Sequence, residues 1–288
     1  MCNLIIEFFV ERLGGGCMRI IKKDKNPKNL EKIQERQSSQ LKAEEKVDLT
    51  LSDTVEENLE KFKAFLEDSS DAVFREFKLG TQGIPCALIY IDGLVNNAVI
   101  NEYVLKPLMY EITLLEKTMD EAIDKNNAYE FVKESAVTIG EIKEAATLDR
   151  SMLLVMSGEV ALIVEGSNKI LVLNARGWPA RGVSQPDTEG SIRGPKDAFT
   201  ETLRVNTALL RRKCKDPNMV IKTIQLGRRS KTDVSYIYIK GITNPELIKE
   251  VEKRLNQIDV DEIMETGQIE QWIQDNYLSP FPQVQITE

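Results

Sequence analysis

"IYIDGLVN" (Ile89–Asn96) and "IYIKGITN" (Ile237–Asn244) are nearly the same eight letters, written 148 residues apart. Each holds a short apolar run of branched and aromatic residues, then a glycine, then an asparagine. Such a run reads as a strand closed by a turn. The asparagine reads as a helix N-cap, its side-chain oxygen accepting from backbone N–H groups that the first helical turn leaves unpaired. The likeness extends backwards to "FKLG" (Phe77–Gly80) and "IQLG" (Ile224–Gly227). The repeat predicts a mixed α/β (α+β) fold of two small lobes, each built on a related strand–strand–helix unit. A crevice between two lobes is a common place for a small molecule.

Working outward from the first copy, Leu51, Val55, Leu59, Phe62 and Leu66 recur at helical spacing, with Ser52 or Asp53 as cap. "AVFREFKLG" and "CALIYIDG" are the two strands. The helix capped by Asn96 or Asn97 is expected to end at Lys106, ahead of Pro107, with another helix over "YEITLLEKTMDEAIDK". "ESAVTIG" reads as a strand and Glu141–Asp149 as a short helix. "EVALIVEG" and "ILVLNARG", joined by Ser-Asn-Lys, form a hairpin signal.

Around the second copy, a proline- and glycine-rich loop (Gly177–Pro195) precedes a helix with Pro195 in its first turn. Phe199, Leu203, Leu210 and either Val205 or Ala208 supply its buried face. "MVIKTIQLG" and "DVSYIYIKG" are strands flanking "RRSKT". Asn244-Pro245-Glu246 starts a helix whose stripe is Leu247, Ile248, Val251 and Leu255. A last helical region, "VDEIMETGQIEQWIQD", is expected to break at Gly267. The boundaries that follow are a disordered charged leader over 1–50, an N-terminal lobe over 51–140, a connector over 141–157 and a C-terminal lobe over 158–288.

Bulk chemistry narrows the function. The chain has 288 residues, a formal charge of −8 and no histidine. A net acidic chain lacks the dominant basic surface of a dedicated nucleic-acid binder. Without histidine there is no Ser-His-Asp or Cys-His catalysis and none of the usual zinc sites. Cys2, Cys17, Cys86 and Cys214 stand far apart with no Cys-x-x-Cys pair. The reading is a non-enzymatic chain that uses no metal or cofactor. Glu7, Glu11 and Arg12 interrupt the apolar N-terminal run, so it does not read as a signal peptide, and Met18 is an alternative start.

Two stretches invite a ligand. In "WPARGVSQPDTEGSIRGPKDAFTE", Arg181 and Arg193 flank Asp187 and Glu189, and Arg193 precedes Gly194, Pro195 and Lys196. Backbone N–H groups at that helix start, with Arg193 and Lys196, suit an anion. The other reading of the same residues is a clasp of Arg193 on Asp187 or Glu189, or a subunit contact. "GRRSKT" offers Arg228 and Arg229 at a hairpin tip without a phosphate-loop pattern. The charges of "LLRRK" suit the negative end of their helix and need no ligand.

"RGVSQPDTEGSIRGPKDAFTETLRVNTALLRRK", "GRRSKT" and "LSPFPQVQITE" together resemble the soluble N-terminal part of the A subunit of GerA-type spore germinant receptors. The likeness covers roughly residues 51–288, with "IRGP" and "SPFPQ" its specific elements. It implies a part in starting germination of Bacillus and Clostridium spores in response to nutrients such as amino acids or sugars. It also implies B and C subunits as partners and a core-facing (cytoplasmic) position at the spore inner membrane. The family continues beyond "ITE" into a membrane-embedded domain, to which Ser279, Pro280, Phe281 and Pro282 would couple this one. Two functions follow: a sensing or coupling domain, with a nutrient between its lobes, or a purely structural module contacting other subunits or further copies of itself.

Overall fold

A computed structural model describes residues 4–7, 50–116, 123–178 and 198–275. The element order is β1 (Leu4–Glu7), α1 (Val55–Leu66), β2 (Ala72–Leu79), β3 (Ile84–Ile91), α2 (97–115), α3 (128–136), β4 (Ile142–Ala145), α4 (Leu148–Val155), β5 (Val160–Val164), β6 (Ile170–Leu173), α5 (Leu203–Lys213), β7 (Met219–Leu226), β8 (Thr232–Ile239), α6 (Pro245–Asn256) and α7 (Thr266–Ile273). A five-stranded antiparallel sheet runs β2-β3-β5-β6-β4, and a three-stranded sheet runs β1-β8-β7.

The large sheet is covered on both faces, which is why "VALIV" and "ILVL" are continuous apolar runs with no polar alternation. Leu88, Leu162 and Leu171 point to one face, beneath Ile100, Val104, Leu108 and Ile112 of α2 and Val132 of α3. Ile89, Ile163 and Val172 point to the other, beneath Leu59, Phe62 and Leu66 of α1 and Met152 and Val155 of α4. The small sheet packs Val220, Val234 and Tyr236 against Val251 and Leu255 of α6 and Ile269 of α7. Its opposite face holds Met219, Ile221 and Ile237 against Leu210 of α5.

Both copies of the octapeptide do what their residues dictate. Each ends the second strand of an antiparallel hairpin, β2–β3 in one and β7–β8 in the other. The Asn96 side chain then accepts from the amides of Ala98 and Val99, and that of Asn244 from Glu246. Between the strands, residues 80–83 turn the first hairpin and 227–231 the second, so the second turn is longer by one residue. Lys231 there adopts φ 48°, a left-handed conformation that a side chain disfavours.

Several expectations are corrected. β5 and β6 do not open a second lobe, because β5 pairs with β3 in the first sheet. Residues 142–145 form β4 on the edge of that sheet, not a helix, and helical structure occupies 128–136 and 148–155 on either side. Pro107 does not stop α2. The Lys106 amide donates to the Asn101 carbonyl and the Ile112 amide to the Pro107 carbonyl, and these wider π-type turns absorb the missing proline donor. The N-cap of α1 is Thr54, not Ser52 or Asp53, and the Val55 amide donates to Glu165, distant in sequence.

α5 begins at Leu203, so Phe199 lies ahead of it, packed on the small sheet's core. Leu247 is exposed, and Gly267 sits inside α7 instead of breaking it. Leu4–Glu7, expected in a disordered leader, pairs in parallel with β8.

Candidate functional site

Where the two sheets meet, a turn of one body closes the edge of the other. After α1 the chain passes through Asp68, Ser69, Ser70 and Asp71 into β2. The Ser70 amide donates to the Ile221 carbonyl at 2.7 Å, the Ile221 amide to Ser69 Oγ at 3.0 Å, and the Thr223 amide to Ser70 Oγ at 3.0 Å. β7 is the edge strand of the small sheet. The Ile221 amide and carbonyl and the Thr223 amide, which an open edge would leave unpaired, therefore go to this turn.

Arg211 of α5 locks the joint. Its side chain is 0% exposed and that of Asp71 2%. Nε and Nη2 each donate to Asp71 at 2.8 Å, Nη2 also to Ser69 Oγ at 2.6 Å, and Nη1 to the Met219 carbonyl at 2.7 Å. Ser69 Oγ in turn donates to Asp71 Oδ1 at 2.8 Å. A planar guanidinium that meets a carboxylate with two parallel bonds fixes orientation as well as charge. The α1–β2 turn, α5 and β7 are thus tied through one side chain.

α5 is the element shared by both bodies. Ala208 packs into the core beneath α1 and α4, whereas Leu210 packs into the core of the small sheet. At its start Arg204 pairs with Asp92 at 2.9 Å, and at its end the Arg212 guanidinium lies 4.7 Å from the Trp178 ring centre. On the surface, Lys240 reaches Asp68 at 2.7 Å and holds that carboxyl below its ordinary range through the hydrogen bond. Between the small sheet and α6, the Tyr236 hydroxyl and then Lys222 hold Glu252 low in the same way. Burial pushes the Cys86 thiol up to about 12.

Of the residues expected to meet a ligand, Arg181, Asp187, Glu189, Arg193, Gly194, Pro195 and Lys196 lie outside the described residues, as do Ser279, Pro280, Phe281 and Pro282. Arg228 and Arg229 are exposed at the β7–β8 turn. Arg228 Nε donates to Asp259 at 2.6 Å, and the amides of Arg228 and Arg229 donate to the carbonyls of Val260 and Asp261. None of them belongs to the Arg211–Asp71–Ser69 joint; Arg211 reads in the sequence only as one of the helix-end charges of "LLRRK", and Asp71 and Ser69 carry no motif. One signal was available: Arg211 follows the buried Thr207 and Ala208 by four and three residues, which puts it on the buried stripe of the helix. Its partner Asp71 carries no such mark.

A family model described as "Bacillus/Clostridium GerA spore germination protein" matches residues 60–288, and the chain belongs to that family. Spore germination protein KA of Bacillus subtilis is 34% identical, over 83% of this chain and 42% of that protein. The uncharacterized membrane protein YfkQ of the same organism is 33% identical, over 92% of this chain and 48% of its own length. The chain thus spans about half the length of the curated relatives it matches.

Among solved structures, the N-terminal domain of the A subunit of the Bacillus megaterium spore germinant receptor GerK3 aligns with a TM-score of 0.59 and 36% identity. The alignment covers 81% of this chain and 83% of that one. No helix among the described residues is long and apolar enough to cross a membrane.

Proposed function

We propose that this chain is the sensing and coupling domain of a nutrient germinant receptor and that it works without bond-making chemistry. Its two bodies, divided after β6 and not at 141–157, act as the parts of a switch whose setting depends on the Arg211–Asp71 joint. The carrying observation is that one buried guanidinium holds the α1–β2 turn, α5 and β7 at once. A small displacement of α5 must break several bonds together, and packed contacts of that kind favour two discrete arrangements over gradual bending. A nutrient such as an amino acid or sugar, or a B or C subunit, shifts the setting only by binding one arrangement more tightly than the other. In this reading the bodies face the spore core beside the inner membrane. Ser279, Pro280, Phe281 and Pro282 lead to the membrane part, and Arg181, Arg193, Lys196, Arg228 and Arg229 serve as contacts for a ligand or sister subunit.

The assembly-module reading has its own support in α2, where Tyr103, Met109, Tyr110, Leu114 and Leu115 are all exposed. An apolar patch of that kind suits a protein contact. One experiment separates the two. Arg211→Lys in the full-length receptor keeps the charge but loses the fork that grips Asp71. Coupling predicts normal receptor abundance in spores with germination slowed at least about tenfold, because a two-state equilibrium changes tenfold for each ~1.4 kcal/mol. Normal germination at normal abundance contradicts coupling and leaves assembly.

A further inference from the structure

The duplication reaches well beyond the octapeptide. Asn58, buried at the start of α1, accepts from the Ser52 amide and donates to the Ser52 carbonyl. Asn206, buried at the start of α5, does the same with Thr200. Thr54 and Thr202 are the matching N-caps. Past the hairpins, the Asp92 amide donates to Asp71 and the Lys240 amide to Asn218, and Gly93 and Gly241 both adopt positive φ. Two copies of one helix–hairpin–helix unit therefore make up much of the described chain.

Within the chain the two copies are set head to tail. The first turn of α5, from the second copy, sits on the turn that leaves the first copy's hairpin, Asp92-Gly93-Leu94. Arg204 pairs with Asp92 at 2.9 Å, a Cβ on Gly93 would stand 3.1 Å from Arg204 Cδ, and Leu94 is 1% exposed. The matching turn of the second copy, Lys240-Gly241-Ile242, has no such helix over it among the described residues. Ile242 is 52% exposed, and among the described residues no atom lies within 4 Å of a Cβ built on Gly241.

We propose that Lys240-Gly241-Ile242 is a docking surface for α1 of a second copy of this chain, set there as α5 is set on Asp92-Gly93-Leu94. The charges support that occupant. Where Arg204 meets Asp92 inside the chain, the matching residues are Glu56 on α1 and Lys240 on the turn, the same pair with its signs exchanged. Glu56 is exposed. Lys63 stands where Arg211 does, and Asp216 and Asn218 stand where Ser69 and Asp71 do, so a second cation again meets oxygen acceptors. Glu60 in place of Ala208 keeps this contact more polar than the internal one, which suits reversible association. Lys240 already pairs with Asp68, but the pair is at the surface and exchangeable. Each copy offers both an α1 and a turn, so the contact is heterologous and propagates from copy to copy.

Sedimentation of the 288-residue chain tests this separately from the coupling reading, since germination is not the readout. Wild type should self-associate with rising concentration. Glu56→Lys and Lys240→Glu alone should each weaken association at least about tenfold, because they set like charges opposite each other. Mixing the two variants, or combining them in one chain, should restore it. Ile242→Asp, at a side chain left half exposed among the described residues, should also abolish association while leaving the melting temperature unchanged. A wild type that stays monomeric, single variants that associate like wild type, or a mixture that fails to recover would each overturn the proposal.

Discussion

The two hairpin units are alike in length, register and caps, yet they sit in different surroundings. In the first, β3 is sandwiched between β2 and β5, both faces of its sheet lie under helices, and the exit turn is sealed with Leu94 inside. In the second, β8 lies in a three-stranded sheet, the edge of β7 is closed by a turn from the first unit, and Ile242 of the exit turn faces solvent. Local sequence is enough to make the unit. What the unit then does depends on which neighbour covers each of its edges.

That difference can be broken at the joint first. Arg211→Ala leaves Asp71 buried with its principal partner gone, and removal of one member of a buried pair costs about 3–5 kcal/mol. Chemical denaturation should show that loss, whereas Arg211→Met combined with Asp71→Leu should recover most of it. Next come the matched asparagines. Asn58→Ala and Asn206→Ala each strand two main-chain groups of a partly buried loop, and each should cost about 1–3 kcal/mol. If the second body is the less enclosed, the loss at Asn206 should fall mainly on protection of the small sheet.

Smaller effects sharpen the comparison. Asn244→Ala removes a helix cap and should lower stability by about 1 kcal/mol, as Asn96→Ala should in the first unit. The pH effect is smaller still. The hydrogen bond from Lys240 lowers the Asp68 pKa in the fold, so the folded state binds that proton less readily than the unfolded chain. Its contribution is present above the ordinary carboxylate range and is lost as pH falls through the lowered value. The pair is half exposed, so Lys240→Met should flatten the acid limb of the stability curve by about 1 kcal/mol or less. Acid titration of both proteins, followed by circular dichroism, checks it.

What the sequence made legible was local. Strand, glycine turn and asparagine cap follow from neighbouring residues, and both hairpins fall where they were expected. What depends on distant partners was not legible. "IKEA" has no strand character of its own and is extended only because β6 offers an edge. Leu247 keeps helical spacing with Val251 yet faces solvent, since spacing cannot say how wide the covered face is. Arg211 reads as a helix-end charge until Asp71, distant in the chain, is folded against it. The resemblance through "IRGP" and "SPFPQ" pointed to the family, but those residues lie outside the described ones and say nothing of the joint.

Amide exchange at Ile221 and Thr223 probes the joint most directly, because both donate to the serines of the α1–β2 turn. With Arg211 replaced by alanine, those two amides should lose protection together while Leu88 and Ile163, deep in the large sheet, keep theirs. Unchanged exchange at Ile221 and Thr223 in that variant would mean the sheets are held by something other than this side chain.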